Sequence, residues 1–114
     1  MTTTEVKTRT HRQMVNVTAA VREAVAAAGV DRGLCHVSVP HTTAAVVVNE
    51  SADPNIGVDL IHALDRAIPD HAGWLHDRVD DNAQAHIKAA ILGPSEVVPV
   101  RDGGLVLEIG RAHV

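Results

Sequence analysis

His41, Asn49, Glu50, Asp59, His76, Asn82 and His86 bring imidazoles, carboxylates and amides together in the middle of the chain. These are the side-chain types that ligate metal ions and move protons. They stand beside two apolar runs, Ala44 to Val48 and Ala89 to Leu92, so a core built from those runs draws several of them toward partly buried positions where each requires a partner. His41, His76 and His86 are the metal candidates, because neutral imidazole suits zinc and three such ligands leave an open position for water or substrate. Their spacing is wide and matches no local metal motif. They converge only if the fold brings a strand start, a loop and a helix to one place, and surface or hydrogen-bonded histidines are the commoner outcome. His11, His36, His62 and His71 read as structural or exposed.

Glu50 and Asp59 are the acid/base candidates. A carboxylate beside a buried strand has its pKa raised by desolvation, which suits proton transfer. The alternative is a solvated charge at Glu50 and a helix-dipole partner at Asp59. Thr42, Asn49 and Asn82 offer neutral hydrogen bonds that orient a substrate. Asp77, Asp80 and Asp81 have the oxygen ligands magnesium takes, although a polar loop with one helix cap accounts for them equally well. The glycines form no phosphate-binding loop, since Gly103-Gly104 reads as a hairpin turn and Gly93 as a helix stop. Neither Ser51 nor Cys35 lies in an activating context for a nucleophile.

The positioning elements follow from local patterns. Glu5 to Val15 reads as an exposed or edge strand. Thr18 is placed to cap an Ala-rich helix running to about Ala28, with Val21 and Val25 on its buried face and Gly29 as its stop. Leu34 to Val39 alternates as a half-buried strand, with Cys35, Val37 and Val39 inward. Ala44 to Val48 reads as a strand buried on both faces. Asp53 caps and Pro54 opens a second helix, whose apolar face is Leu60, Ile61, Leu64 and Ile68, and Pro69 ends it. Asp70 to Asp81 is a polar loop. Asp81 or Asn82 caps a third helix to Leu92, with Asn82 and His86 on one face. Glu96 to Val100 and Gly104 to Leu107 form a hairpin.

Composition narrows the class. The chain has 114 residues, 46% hydrophobic and 1% aromatic, so a single domain is expected with a core of Val, Ala, Leu and Ile around one tryptophan, Trp74. That aliphatic composition suits a sheet covered by Ala-rich helices. A formal charge of −4 without basic clusters or interleaved aromatics argues against a nucleic-acid platform. Anionic substrates remain accessible to a few placed groups or a metal. A single cysteine, Cys35, excludes an internal disulfide. The sequence shows no secretory signal and no membrane span, so a cytoplasmic protein is expected.

At these polar positions the chain resembles the YjbQ family. The resemblance runs through His41-Thr42-Thr43-Ala44, Asn49-Glu50 with Asp53-Pro54, Asp59, Ile68-Pro69, His76-Asp77, Asp81-Asn82, and His86-Ile87-Lys88 with Leu92-Gly93 and Ser95. It implies an α+β domain with a mixed or antiparallel sheet and two to three helices, commonly a homotrimer. It also implies a secondary thiamine-phosphate synthase activity, joining hydroxymethylpyrimidine diphosphate to thiazole phosphate with release of pyrophosphate. A divalent ion, zinc or magnesium, is the expected cofactor and a small phosphorylated metabolite the expected partner. Site status passes to His41, Glu50, Asp59, His76 and His86. Two alternatives stand beside it: a metal-dependent hydrolase of a small phosphorylated metabolite with Glu50 as base, and a non-catalytic metal- or small-molecule-binding oligomer.

The resemblance stops at Leu107. The family continues through a Gly-Thr-Trp-Gln-like strand, whereas Glu108-Ile109-Gly110-Arg111-Ala112-His113-Val114 reads like a translated sequencing adapter. The expectation is therefore a family-like domain over residues 1–107, incomplete at its C-terminal end, followed by a non-native tail over 108–114.

Overall fold

Residues 1–107 are described by a computed structural model; the seven residues read as a non-native tail lie outside the described residues. The order of elements is helix α1 (Thr18–Ala28), strand β1 (Gly33–Ser38), helix α2 (Asn55–Ala67), a single 3-10 turn (Leu75–Arg78), helix α3 (Ala83–Leu92), strand β2 (Ser95–Arg101) and strand β3 (Gly104–Leu105). The strands form one sheet in the order β1-β2-β3 with both pairings antiparallel. The architecture is α+β, and the sheet among the described residues is antiparallel, not mixed.

Asn16, not Thr18, caps α1. Its Oδ1 accepts the Thr18 backbone N–H at 3.0 Å and the Thr18 hydroxyl at 2.6 Å. Thr18 already lies inside the helix, so its own side chain serves the cap as a donor. Gly29, at φ 67°, ends the helix in the left-handed conformation that glycine adopts without steric cost. Asp53 does open α2: its Oδ1 accepts the Asn55 N–H at 2.9 Å across Pro54.

β1 alternates as its sequence requires, with Cys35 and Val37 half-buried and Leu34, His36 and Ser38 exposed. It pairs along its length with β2, from Gly33 opposite Val100 to Ser38 opposite Ser95. Between β2 and β3 the turn residues Asp102 and Gly103 both have positive φ, 52° and 77°. They link the paired Arg101 and Gly104, the two-residue Asp-Gly hairpin whose twist matches the strands it joins. Val25 of α1 packs with Val98, Val100 and Leu105, and Val21, Cys35 and Leu107 extend this aliphatic core.

Two expected strands are absent. Ala44 to Val48 has no strand assignment; Val46 is buried, but Val48 is exposed. The Val46 N–H donates to the Gly93 carbonyl at 3.1 Å, a single tie to the α3–β2 junction where a strand needs a ladder of them. Glu5 to Val15 likewise lies outside any sheet and is mostly exposed. Both runs have strand composition, but among the described residues no neighbouring strand pairs with them. No helix among the described residues is long and apolar enough to cross a membrane.

Candidate functional site

The polar segment between α2 and α3 is closed by its own side chains. Trp74 Nε1 donates to the Pro69 carbonyl at 2.8 Å, drawing the end of α2 toward the start of the 3-10 turn. Within that turn the Val79 and Asp80 N–H groups both donate to the His76 carbonyl, at 2.9 and 3.2 Å. Asp77 then reaches forward, and its Oδ1 accepts the Ala83 N–H at 2.9 Å. The side-chain cap expected from Asp81 or Asn82 thus comes from Asp77. Asn82 occupies the cap position without making a side-chain cap bond.

This fastening places His76 of the turn against His86 of α3. Their ring centroids are 4.8 Å apart and their planes meet at 85°, an edge-to-face contact. Asn82, four residues before His86, has a buried Oδ1 with no hydrogen-bond partner. A buried amide oxygen without a donor is costly, and a ligand that donates a hydrogen bond would satisfy it.

The other expected residues are not gathered in the same way. His41 is exposed, and its Nδ1 is engaged by the Thr43 backbone N–H at 3.3 Å and the Thr43 hydroxyl at 3.0 Å. An Nδ1 that accepts from a backbone N–H leaves the proton of the neutral ring on Nε2. His41 is thereby arranged as a hydrogen-bond donor, whereas a metal ligand needs a bare nitrogen. His41, His76 and His86 do not form a three-ligand cluster: among the described residues, the group whose ligand atoms come within 4.8 Å of one another is His71, Asp77 and Asp81. The convergence expected of three distant histidines fails because His41 stands on a separate, unpaired segment.

Glu50 is exposed, since Ala44 to Val48 is not a central strand. Its N–H is capped by the Asn49 side chain at 2.8 Å, which commits the Asn49 Oδ1 locally. Asp59 lies in the second turn of α2 and is exposed, as is Thr42.

Sequence reasoning also missed a charged clamp. Arg12 pairs with Asp70 through a hydrogen bond, and its Nε lies 3.0 Å from Asp65 Oδ1, outside hydrogen-bond alignment. Lys88 of α3, largely buried, reaches the same Asp65 oxygen at 2.5 Å. The N-terminal segment, α2 and the histidine-bearing helix are therefore joined where Arg12 and Lys88 meet at Asp65. The hydrogen bond from Arg12 holds the Asp70 carboxyl below its ordinary range, and the same bond raises the Arg12 guanidinium above its own.

The comparisons with known proteins agree with this architecture. A family model described as "UPF0047 protein YjbQ-like" matches residues 2–111. The UPF0047 protein YugU of Bacillus subtilis is 32% identical over 108 residues, spanning 92% of this chain and 79% of that protein. A UPF0047 protein of Archaeoglobus fulgidus is 45% identical over 75 residues, and the match spans 66% of this chain and 59% of that protein. Among solved structures, a YbjQ-like protein of unknown function from Sulfolobus solfataricus is similar with a TM-score of 0.90 at 34% identity, covering 94% of this chain and 77% of that one. An uncharacterized protein of the YjbQ/UPF0047 family from Clostridium acetobutylicum gives 0.89 at 36%, covering 94% and 81%. With a family match along nearly its whole length and relatives above 30% identity, this chain belongs to the YjbQ/UPF0047 family.

Proposed function

We propose that the protein is a metal-assisted enzyme acting on a small phosphorylated metabolite, with thiamine-phosphate-synthase-type coupling as its reaction. The observation that carries this reading is the His76–His86 contact, two imidazoles presented edge to face by a turn and a helix. Two neutral imidazoles fit a zinc-like ion, and His76 and His86 are the residues that would hold it. When bound, such an ion neutralises the charge that develops on a departing diphosphate.

The chain's own groups supply the rest of the proposal. His41, with its Nδ1 occupied by Thr43, offers Nε2–H to a phosphate oxygen. Asn82 offers a buried amide whose oxygen lacks a donor, suited to a ring N–H or amino group of a pyrimidine. Thr42 and Asn49 remain orienting groups and Glu50 and Asp59 acid/base groups in this scheme. The proposed assembly is a homotrimer, supported by the apolar side chains of Leu34 and Val97, which stand exposed on the outer face of the sheet.

The test incubates the protein with hydroxymethylpyrimidine diphosphate, thiazole phosphate and either zinc or magnesium, and follows products by mass spectrometry. Thiamine phosphate and pyrophosphate are expected, with loss of both in His86→Ala. Release of inorganic phosphate without coupling would replace the reading with hydrolysis. Ligand binding with no product under either metal would make the protein a binding oligomer.

A further inference from the structure

Outside the histidine pair, and sharing no residue with it, His71, Asp77 and Asp81 bring one nitrogen and two carboxylate oxygens within 4.8 Å of one another. His71 Nδ1 lies 3.0 Å from Asp81 Oδ1 and 3.9 Å from Asp77 Oδ2. Ligands bound tetrahedrally at about 2.0–2.2 Å from an ion sit roughly 3.3–3.6 Å from each other, and the two observed separations bracket that range. We propose that these three residues form a second divalent-cation site, for a first-row transition ion such as zinc.

The imidazole carries the choice of ion. Calcium takes six to eight oxygens, more than two carboxylates provide, whereas one nitrogen and two carboxylates resemble a three-ligand zinc site with a position left for water. A neutral imidazole and two carboxylates also carry about two negative charges, matching a dication.

An independent observation comes from Asp77. Its side chain is 15% exposed, and its Oδ1 is committed to the Ala83 N–H. Its Oδ2 is out of contact with solvent and has no hydrogen-bond partner. A shielded carboxylate oxygen without a donor is costly, and the His71 nitrogen at 3.9 Å is too distant to donate to it. A simple His71–Asp81 ion pair leaves that oxygen unpartnered. A cation between the three groups supplies its partner, and the Ala83 bond already holds the carboxylate in place.

The experiment titrates chelator-treated protein with zinc by calorimetry. A His76→Ala/His86→Ala variant removes the imidazole pair of the proposed enzyme site, so what remains reports on this cluster. It is expected to retain one zinc equivalent. His71→Gly and Asp81→Asn, added singly, keep residues tolerant of the positive φ found at both positions, 52° and 59°. Each is expected to weaken the remaining binding by at least about tenfold. In the unsubstituted chain, zinc should also shift the His71 ring-nitrogen resonances, a readout that does not depend on the double variant folding. Absence of that shift, or zinc binding unaltered by both added substitutions, overturns the site.

Discussion

Asp77 Oδ1 accepts the backbone N–H of Ala83 at 2.9 Å, so the first residue of α3 is held by a side chain from the turn before it. Asp77→Ala should cost about 1 kcal/mol, the usual loss for a helix cap, lowering the melting temperature by roughly 4–8 °C in a domain of this size. Asn82→Ala should cost less, because its side chain makes no cap bond. Thermal melts of the two variants by circular dichroism decide the order, and an Asn82 loss equal to that of Asp77 would contradict the assignment.

Asp65 joins Arg12 and Lys88, and Lys88 is the more deeply buried partner at 13% exposure. Asp65→Ala leaves that ammonium without its carboxylate in a site mostly shielded from water. With Asp65 itself partly solvated, a loss of about 1–2 kcal/mol is expected, below the figure for a fully buried pair. Urea denaturation should place Asp65→Ala below Arg12→Ala in stability.

The Arg12–Asp70 pair makes a pH-dependent contribution of known sign. Arg12 holds the folded Asp70 carboxyl below its ordinary range, so the contribution is fully present above the unfolded value of about 3.9 and is lost as pH falls through the lower folded value. The stability difference between the unsubstituted protein and Asp70→Asn should be constant from neutral pH to about 5 and shrink under stronger acid. Denaturation midpoints measured across that range test it, and a gap that widens on acidification would reverse the sign.

His41 and His86 should separate in their effects. If His41 donates Nε2–H to a phosphate oxygen and His86 holds an ion, His41→Ala raises KM about tenfold or more, as expected for one lost charge-assisted hydrogen bond, and leaves zinc affinity unchanged. His86→Ala weakens zinc binding. Parallel calorimetry and product assays on the two variants provide the check, and equal loss of zinc affinity in both would restore His41 as a ligand.

Gly103 sustains the hairpin that brings Leu105 into the aliphatic core. At φ 77° a Cβ strains the backbone although no atom lies within 4 Å of its place, so Gly103→Ala should cost about 1 kcal/mol. Thermal melting is the measurement, and an unchanged midpoint would show that the turn relaxes.

Elements stabilised by neighbours in sequence were legible in the chain. Gly29 marks the end of α1, Asp53 and Pro54 mark the start of α2, and the alternation through Cys35 and Val37 marks β1, each by a rule that acts within a few residues. Asp102-Gly103 likewise specifies its turn. Ala44 to Val48 and Glu5 to Val15 have the composition of strands, but strand formation depends on a partner elsewhere, which local pattern cannot supply. The candidate site divides along the same line. Asn82 and His86 share a helix face by spacing alone, whereas the contact of His86 with His76 depends on how the turn docks on α3. The roles of Asp77 and Arg12 depend on bonds spanning 6 and 58 residues, for which no short-range pattern exists.

Trp74, the one aromatic residue among 114, is tied through its indole N–H to the Pro69 carbonyl and immediately precedes the turn that carries His76 and Asp77. The chain therefore contains a built-in optical reporter. Its ultraviolet emission comes from one fluorophore at one place, without tyrosine background. Events that loosen or tighten the segment between α2 and α3 reach that indole through Pro69 and the 3-10 turn, while rearrangements confined to the β2–β3 hairpin have no comparable route to it.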